Sequence, residues 1–233
     1  MDRLDKRLAN TGKWSRKEAR DLIRAGRVAV DGAVCRAPEQ KTPEDAAITV
    51  DGAPVGGNGP VYLMLHKPAG VVSSTAEPGE RTVIDLLGPE WQGRGLFPAG
   101  RLDKDTEGLL LITDDGPLSH RLLAPKRHVD KVYYVEVDGA LDETDVEAVR
   151  AGIVLGDGTP CQPGELELLT DRTARITLHE GKYHQVKRML ASRGKPVRYL
   201  RRERFGPLIL DPDLPKGGWR ALTEGEIQAL FRQ

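Results

Sequence analysis

The chain has 233 residues and a mass of 25.6 kDa, enough for one large domain or two unequal ones. Hydrophobic residues make up 39% of the chain and charged residues 30%, a balance that supports a packed core and excludes a disordered protein. The sequence has no apolar run of membrane-spanning length, no apolar leader at its charged N-terminus, and only two cysteines, which excludes a disulfide framework. We therefore expect a cytoplasmic protein without a membrane partner.

The charges of the chain are unevenly distributed, although lysine plus arginine equals aspartate plus glutamate at 35 each. Residues 1–27 carry nine basic and four acidic residues, and residues 181–204 carry nine basic residues and one acidic residue. Two basic segments in a neutral protein indicate an oriented surface, and a polyanion is the partner that such a surface attracts.

The first 55 residues predict a small unit of their own. Leu4 and Leu8 lie on one face of a short helix, and Ser15 with Glu18 forms a capping box that starts a second helix. Two short hairpins follow, each with an Asp-Gly turn, at 31–32 and 51–52. Three arginines share a face of the second helix, separate from its apolar stripe: Arg16, Arg20 and Arg24.

This first segment resembles an S4 domain, a small RNA-binding module of many ribosome-associated proteins. The resemblance is carried by Arg-Leu-Asp-Lys at 3–6, Ser-Arg-Lys-Glu-Ala-Arg-Asp-Leu-Ile at 15–23, Gly-Arg-Val at 26–28 and Val-Asp-Gly at 30–32. It implies docking on structured RNA through the three arginines, mainly by phosphate and shape contacts.

A glycine-rich segment, Gly-Gly-Asn-Gly-Pro at 56–60, predicts a linker, so we place the domain boundary between residues 58 and 59. Strand-like segments follow at 61–66, 108–113, 131–138, 174–179 and 197–200, and helix-like segments at 117–123, 142–150, 184–193 and 223–231. Several strands follow one another without an intervening helix. We therefore expect an α+β domain over residues 59–233, built on a mixed, mostly antiparallel sheet with flanking helices.

Sequence motifs typical of nucleotide-binding proteins, serine hydrolases and metalloproteins are absent or incomplete in this chain. The chain has no P-loop, nucleophile elbow or dinucleotide-binding fingerprint. Two histidines near residue 180 are five residues apart, whereas a zincin helix needs a spacing of four. Asp103, Asp105 and Glu107 begin like a calcium-binding loop, but four apolar residues at 109–112 fill its second half. We expect neither a metal ion nor another cofactor.

Asp103 is the strongest candidate for a reactive group. The sequence Arg101-Leu102-Asp103 directly precedes a polar turn and an apolar run that predicts a buried strand. A rigid strand would hold the carboxylate in place, and basic neighbours would keep it ionised and nucleophilic.

Four segments in chain order resemble the RNA pseudouridine synthases of the RsuA type. They are His-Lys-Pro-x-Gly-x-x-x-Ser-Thr at 66–75, Gly-Arg-Leu-Asp-x-x-Thr-x-Gly-Leu-Leu at 100–110, Lys-x-Tyr-x-Val at 131–135 and Glu-Gly-x-x-x-Gln-Val-Lys-Arg-Met at 180–189. The first departs from the family pattern because His66 replaces the usual asparagine. With the S4 segment in front, the resemblance covers nearly the whole chain.

The resemblance implies an isomerase that moves ribose C1′ from N1 to C5 of the same uracil ring, inside a pocket for a flipped-out nucleotide and without a cofactor. It makes Asp103 the essential carboxylate and Tyr133 the aromatic residue that stacks on the base. Whether Asp103 first attacks the sugar, attacks the base or takes a proton from C2′ stays open. Lys187 matches the family's basic position, and Arg188 remains an alternative partner of Asp103.

The resemblance also implies the remaining contacts with substrate and RNA. Arg101 is expected to help extrude the base, and Lys67 to shape the rim of the pocket. The other residues expected to contact RNA are His184, Arg188, Arg201 and Arg202, together with Arg16, Arg20 and Arg24.

The form of residues 183–189, Tyr-His-Gln-Val-Lys-Arg-Met, favours the small-subunit branch of the family, which modifies one uridine of 16S rRNA. The expected partner is therefore ribosomal RNA, free or in a small-subunit assembly intermediate, and we expect a monomer. Two alternatives remain: the same chemistry on 23S rRNA, and an rRNA-binding assembly factor without turnover. A glycoside hydrolase using Asp103 and Asp105 fits poorly, because side chains two residues apart on a turn rarely face each other across a substrate.

Overall fold

The computed structural model describes residues 1–11, 13–43, 46–55, 60–91, 94–124 and 129–232. The chain divides into two compact units, Met1–Val61 with Leu87–Phe97 and Tyr62–Leu86 with Pro98–Gln233. Most of the predicted linker, residues 56–59, lies outside the described residues, so the boundary between 58 and 59 stays a prediction. No helix in the described ranges is both long and apolar enough to cross a lipid bilayer.

The described residues among the first 61 of the chain form two α-helices and six short strands. In chain order they are β1 (Asp2–Arg3), α1 (Leu4–Asn10), α2 (Arg16–Arg24), β2 (Val28–Val30), β3 (Ala33–Cys35), β4 (Lys41–Thr42), β5 (Ile48–Val50) and β6 (Ala53–Pro54). An antiparallel sheet has the order β3-β2-β5-β6, and β1 pairs with β4. The sequence of helix, basic helix and hairpins agrees with the S4 prediction.

Local sequence signals determine where these elements begin and turn. The predicted capping box is confirmed, since Ser15 Oγ accepts from the Glu18 amide at 3.2 Å and the Glu18 carboxylate accepts from the Ser15 amide at 2.7 Å. Both Asp-Gly turns adopt the left-handed conformation of a two-residue hairpin, with φ of 49° and 82° at 31–32 and 53° and 78° at 51–52.

A buried carboxylate, Asp5, joins the two helices of the first unit. Its side chain is fully buried and accepts hydrogen bonds from Arg3 at 2.9 and 3.0 Å and from Arg20 at 2.9 Å, with Arg16 at 3.7 Å. Burial raises the pKa of Asp5, but the hydrogen bonds outweigh it and bring the pKa to about 2. Two of the three arginines predicted to bind RNA therefore also stabilise the packing of α1 against α2.

The second unit is built on one large mixed sheet. From residue 62 onward the elements are β7 (Tyr62–Lys67), β8 (Phe97–Ala99), β9 (Glu107–Thr113), α3 (Gly116–Leu123), β10 (Lys131–Val137), α4 (Glu143–Ala151), β11 (Glu165–Leu168), β12 (Thr173–Leu178), α5 (Gln185–Ser192), β13 (Val197–Phe205), β14 (Leu208–Ile209), β15 (Trp219–Ala221) and α6 (Glu224–Phe231). The main path of the sheet is β11-β12-β10-β13-β9-β7-β15. Among the described strand pairs along this path, β9 and β13 are parallel and the others are antiparallel. The predicted α+β class with a mixed, mostly antiparallel sheet is confirmed.

The centre of this sheet explains the apolar run at 109–112. All residues of β7 and β9 are buried, as a strand covered on both faces requires. Gly108 has a φ of +107°, and a Cβ there would lie 2.3 Å from the carbonyl oxygen of Arg202. Only glycine permits β9 to approach β13 this closely, which holds the loop before β9 beside the adjacent strand.

Candidate active site

A cavity of about 650 Å³ lies in the second unit, within the range of roughly 300–1,000 Å³ typical of ligand sites. Its floor is formed by side chains that alternate along three adjacent strands and therefore share one face of the sheet. Tyr133 of β10 is paired with Arg202 of β13, and Lys131 of β10 is paired with Leu178 of β12. The loop 100–106 and the segment 180–186 form the walls.

Asp103 is positioned on one wall by a buried lysine. Lys67, at the end of β7, is fully buried and its Nζ donates to the carbonyl oxygens of Pro68 at 3.0 Å, Lys104 at 3.1 Å and Thr106 at 2.9 Å. Burial lowers the pKa of Lys67 to about 8. The last two bonds fix the loop on the C-terminal side of Asp103.

A serine of the same segment holds the other end of this loop. Ser73 Oγ donates to the carbonyl oxygen of Leu102 at 2.8 Å and accepts from its amide at 3.1 Å. The amide of Gly70 donates to the carbonyl oxygen of Lys104 at 2.7 Å. The segment 66–75 thus acts on Asp103 through the backbone of the loop.

The ion pair of Asp103 is formed with Lys187 of α5. Lys187 Nζ lies 3.1 Å from Asp103 Oδ2 and 2.5 Å from Asp105 Oδ1. Burial lowers the pKa of Lys187, but its hydrogen bonds to the two carboxylates outweigh this and raise the pKa above its usual value. Arg188, the alternative partner, pairs with Asp157 at 2.5 Å instead. Lys187 is therefore the cation beside Asp103.

Two aromatic side chains lie at the wall next to Asp103. His184 Nε2 is 3.5 Å from Asp103 Oδ1, and its backbone has a φ of 50°, a left-handed conformation just before α5. The Tyr183 ring stacks on the His184 ring with 3.8 Å between centroids and an interplanar angle of 18°. Tyr183 is 74% exposed, which leaves its outer ring face open to a ligand. No role was predicted for Tyr183 from the sequence. The signal that could have identified it is the Tyr-His pair directly before a basic helix.

The turn that carries this pair is fixed by the other motif residues of its segment. Gln185 Oε1 accepts from the Lys182 amide at 2.9 Å, and Gln185 Nε2 donates to Glu180 Oε1 at 2.6 Å. Glu180 also accepts from the Gln162 amide at 2.9 Å and pairs with the Lys182 ammonium. Glu180 and Gln185 are thus positioning residues.

The structure brings some of the predicted site residues together and separates others. The predicted residues that line the cavity are Arg101, Asp103, Tyr133, His184 and Arg202, and Lys187 contacts Asp103. Arg16, Arg20 and Arg24 belong to the first unit. The expectation that Lys67 shapes the rim of the pocket is wrong. Its side chain is fully buried and donates hydrogen bonds to three carbonyl oxygens.

Arg201 lies on the face of β13 opposite to the cavity. Side chains alternate along a strand, so Arg201 and Arg202 point to different faces. Arg201 donates to Glu203 at 2.6 Å and packs over the Tyr134 ring at 5.3 Å. Arg202 therefore lines the cavity and Arg201 does not, and the contact of Arg201 with RNA stays a prediction.

Lys131 is a cavity residue that sequence reasoning quoted in a motif but gave no role. It is 5% exposed, lines the cavity beside Tyr133 and donates to the carbonyl oxygen of Val129 at 3.1 Å. Burial lowers the pKa of Lys131 to about 8. The sequence could have indicated this position, because Lys131 lies two residues before Tyr133 on a predicted strand and residues at this spacing lie on the same face.

These groups combine a carboxylate held in an ion pair, a tyrosine ring on the floor and a cavity large enough for a planar ring. That combination suits nucleophilic or base chemistry on a bound aromatic heterocycle. Among the described residues, no group of three or more His, Cys, Asp or Glu side chains is placed to hold a metal ion.

Comparisons with known proteins identify two matching families. The RNA pseudouridylate synthase family matches residues 61–192, and the S4 domain family matches residues 2–48. The chain is 44% identical to the uncharacterised RNA pseudouridine synthase YtzG of Bacillus subtilis, over 98% of each chain. It is 44% identical to ribosomal small subunit pseudouridine synthase A of Pseudomonas aeruginosa, over 97% of this chain and 98% of that one.

Further similarities have the same extent. The identity with ribosomal small subunit pseudouridine synthase A of Escherichia coli is 41%, over 98% of this chain and 99% of that one. A crystal structure of a pseudouridylate synthase aligns with a TM-score of 0.70 at 35% identity, over 99% of this chain and 100% of that one. The similarity therefore covers both units.

Proposed function

The chain belongs to the RNA pseudouridylate synthase family, as an RsuA-type isomerase with an N-terminal S4 domain, and from this we propose that its substrate is a uridine of 16S rRNA. Support comes from 41–44% identity, over nearly the full length, to several enzymes called ribosomal small subunit pseudouridine synthase A. The Tyr-His-Gln-Val-Lys-Arg-Met segment favours the same branch.

The observation that carries the catalytic assignment is the position of Asp103 on the cavity wall, in an ion pair with Lys187 at 3.1 Å. We assign Asp103 as the carboxylate that acts on the target nucleotide. In the reaction the bond between C1′ and N1 breaks, the ring turns, C5 bonds to C1′, C5 loses its proton and N1 gains one. Lys187 orients the carboxylate and compensates its charge inside a site that a nucleotide would close to water.

Tyr133 supplies the surface on which the base stacks. Its ring is half-buried on the floor of the cavity, in register with Arg202 and adjacent to Lys131. Stacking on an aromatic ring compensates part of the cost of extruding a base from RNA, which is a few kcal/mol. Arg101, exposed at the wall, contacts the nucleotide or its neighbours during extrusion.

The first unit supplies contacts with RNA that do not depend on the target base. Arg24 is exposed, and the guanidinium groups of Arg16 and Arg20 remain about half exposed while they pair with Asp5. Such groups bind phosphates and fix the register of the RNA. The proposal includes a monomeric, cytoplasmic protein that meets 16S rRNA as free RNA or in an assembly intermediate.

The test is a map of pseudouridines in 16S and 23S transcripts and in a partially assembled small subunit, each treated with the wild-type protein or with Asp103→Asn. We expect one new site in 16S rRNA with the wild type and none with the variant, while RNA affinity stays within a few-fold. A site in 23S rRNA would overturn the proposed substrate. No site on any of these RNAs, despite tight binding, would favour the assembly factor, and a site made by Asp103→Asn would remove Asp103 from its role.

A further inference from the structure

Two buried cations, Lys131 and Arg202, lie together on the floor of the cavity. Lys131 is 5% exposed and Arg202 is 1% exposed. Both line the cavity and share a sheet face with Tyr133, because Arg202 is its cross-strand partner and Lys131 is two residues away on β10. Buried charges in proteins are normally paired with an opposite charge, so these two require an explanation.

Their hydrogen-bonding capacity exceeds what the surrounding protein uses. Arg202 Nε donates to the carbonyl oxygen of Leu109 at 2.8 Å, but its Nη2 is buried without a hydrogen-bond partner in the described part of the chain. The Lys131 ammonium has three donors and, among the residues that the structure describes, gives one hydrogen bond, to the carbonyl oxygen of Val129 at 3.1 Å. Thr106 Oγ1, also at the cavity, is buried without a partner in the same residues.

Two carboxylates, Asp130 and Glu180, compensate the charge of Lys131 only in part. Asp130 pairs with His179 at 2.7 Å, and Glu180 pairs with Lys182. The pKa of Lys131 is lowered to about 8, mainly by burial and to a smaller extent by the charge of Arg202. Asp130 and Glu180 act in the opposite direction but do not outweigh these two effects. An ammonium with so little compensation stabilises negative charge strongly when a ligand provides it.

Building on the proposed function, we propose that Lys131 and Arg202 bind a carbonyl oxygen of the extruded uracil ring and stabilise the negative charge of that ring after it leaves C1′. A ring stacked on Tyr133 would present its carbonyl edge to the same floor. An extruded base would enter the cavity ahead of the phosphates of its RNA backbone, so we expect its carbonyl edge, and not a phosphate, to reach these donors.

The charge arises from the electron balance of the isomerisation. When C1′–N1 breaks, its electron pair stays on the ring and is shared by N1 and the two carbonyl oxygens. C1′ either bonds to an Asp103 oxygen or, after Asp103 takes the C2′ proton, forms a double bond to C2′. C5 then bonds to C1′, which releases Asp103 or returns the C2′ proton, and the ring moves its C5 proton to N1. The anion exists only between these steps, so donors that bind it accelerate the reaction.

The first experiment compares Lys131→Met with wild type and with Lys195→Met, a lysine outside the cavity lining. Single-turnover conversion of a 16S transcript should slow about 100- to 1,000-fold in Lys131→Met, as for the loss of one oxyanion donor. RNA affinity should stay within a few-fold, and Lys195→Met should keep the wild-type rate. The melting temperature of Lys131→Met should not fall, because removal of a buried, poorly compensated charge costs little stability.

The second experiment replaces single atoms of the substrate. Transcripts with 2-thiouridine or 4-thiouridine at the mapped site exchange one carbonyl oxygen for sulfur, a weaker acceptor. For one of them, the rate ratio of uridine to thiouridine should be at least several-fold larger in wild type than in Lys131→Met. Arg202→Lys, which keeps the charge but removes Nη2, should also reduce this ratio and replaces Lys131→Met if that variant does not fold.

The outcomes separate the inference from the function on which it rests. If wild type makes no pseudouridine in any transcript, the proposed function fails. If wild type is active and Lys131→Met retains its rate, or neither thio substitution distinguishes wild type from the variants, the function stands and the carbonyl site is overturned. A fall in melting temperature with unchanged turnover assigns Lys131 to the fold alone.

Discussion

Replacement of Lys67 by methionine tests whether a buried ammonium holds the loop that carries Asp103. Methionine is similar in length to lysine, so the change removes three hydrogen bonds without leaving a large cavity. Bonds from a charged donor contribute about 1.5–3 kcal/mol each, and three would contribute about 5–9 kcal/mol. Burial lowers the pKa of Lys67 from 10.5 to about 8, which means that its buried charge destabilises the folded state by about 3 kcal/mol. Methionine carries no charge, so the substitution removes this cost. The net loss is about 2–6 kcal/mol.

The assay combines thermal unfolding with turnover on the same samples. A loss of this size lowers the melting temperature of the second unit by about 5–20 °C. Turnover measured well below that temperature should fall by at least tenfold, because the Asp103 loop loses its fixed geometry. The matched control is Lys104→Met in the same loop, whose exposed ion pair with Glu80 at 2.7 Å contributes less than about 1 kcal/mol. A Lys67→Met protein that melts like Lys104→Met and keeps its turnover would refute this account of the loop.

Four further predictions concern other parts of the molecule. Tyr133→Leu should slow single turnover about 10- to 100-fold through loss of base stacking, and an unchanged rate would remove Tyr133 from contact with the base. Asp5→Ala should destabilise the first unit by about 1.5–3 kcal/mol in denaturant titrations, because it removes the hydrogen bonds that a buried carboxylate accepts from half-exposed arginines; a loss below about 0.5 kcal/mol would contradict this. Lys67 and Lys131 each have a pKa of about 8 in the folded state, against a usual value of 10.5. Between about pH 8 and pH 10.5 the unfolded state therefore binds more protons than the folded state. The free energy of unfolding rises with pH over this range, by up to about 3 kcal/mol per lysine. Lys67→Met and Lys131→Met should each reduce that rise, and parallel pH profiles would be inconsistent with the lowered pKa values. Arg24→Ala should reduce the salt slope of RNA binding by about one unit, measured as log affinity against log salt, whereas an unchanged slope would place Arg24 away from phosphates.

Most secondary structure could be predicted from the sequence because its signals are local. The predicted segments 131–138 and 142–150 correspond to β10 (Lys131–Val137) and α4 (Glu143–Ala151), which begins with an Asp142 capping box. Apolar periodicity also identified the buried face of α5, where Val186, Met189 and Leu190 are at most 4% exposed. Such patterns depend on residues that are close in sequence, within about one turn of the same helix or within the same strand.

The parts of the site that could not be predicted depend on contacts between distant residues. Lys67 reaches carbonyl oxygens 37 and 39 residues away, so its burial left no local signal. The choice between Lys187 and Arg188 depends on how α5 is rotated relative to the loop that carries Asp103. Neighbouring side chains of a strand always alternate, but which of Arg201 and Arg202 faces the cavity depends on the register of β13 against β10, which shifts between residues 132 and 133 of β10.

The parallel pairing of β9 with β13 determines when this enzyme can become active during its synthesis. The registered pairs join residues 107–108 to residues 201–202, more than 90 positions later. A ribosome that has added residue 192 has already made Asp103, Tyr133 and Lys187, yet the strand that separates β9 from β10 and carries Arg202 does not yet exist. Such distant pairings form slowly and after local elements. At this stage a nascent chain therefore carries the S4 unit and all three residues of the proposed site, but not the strand that joins β9 to β10 in one sheet.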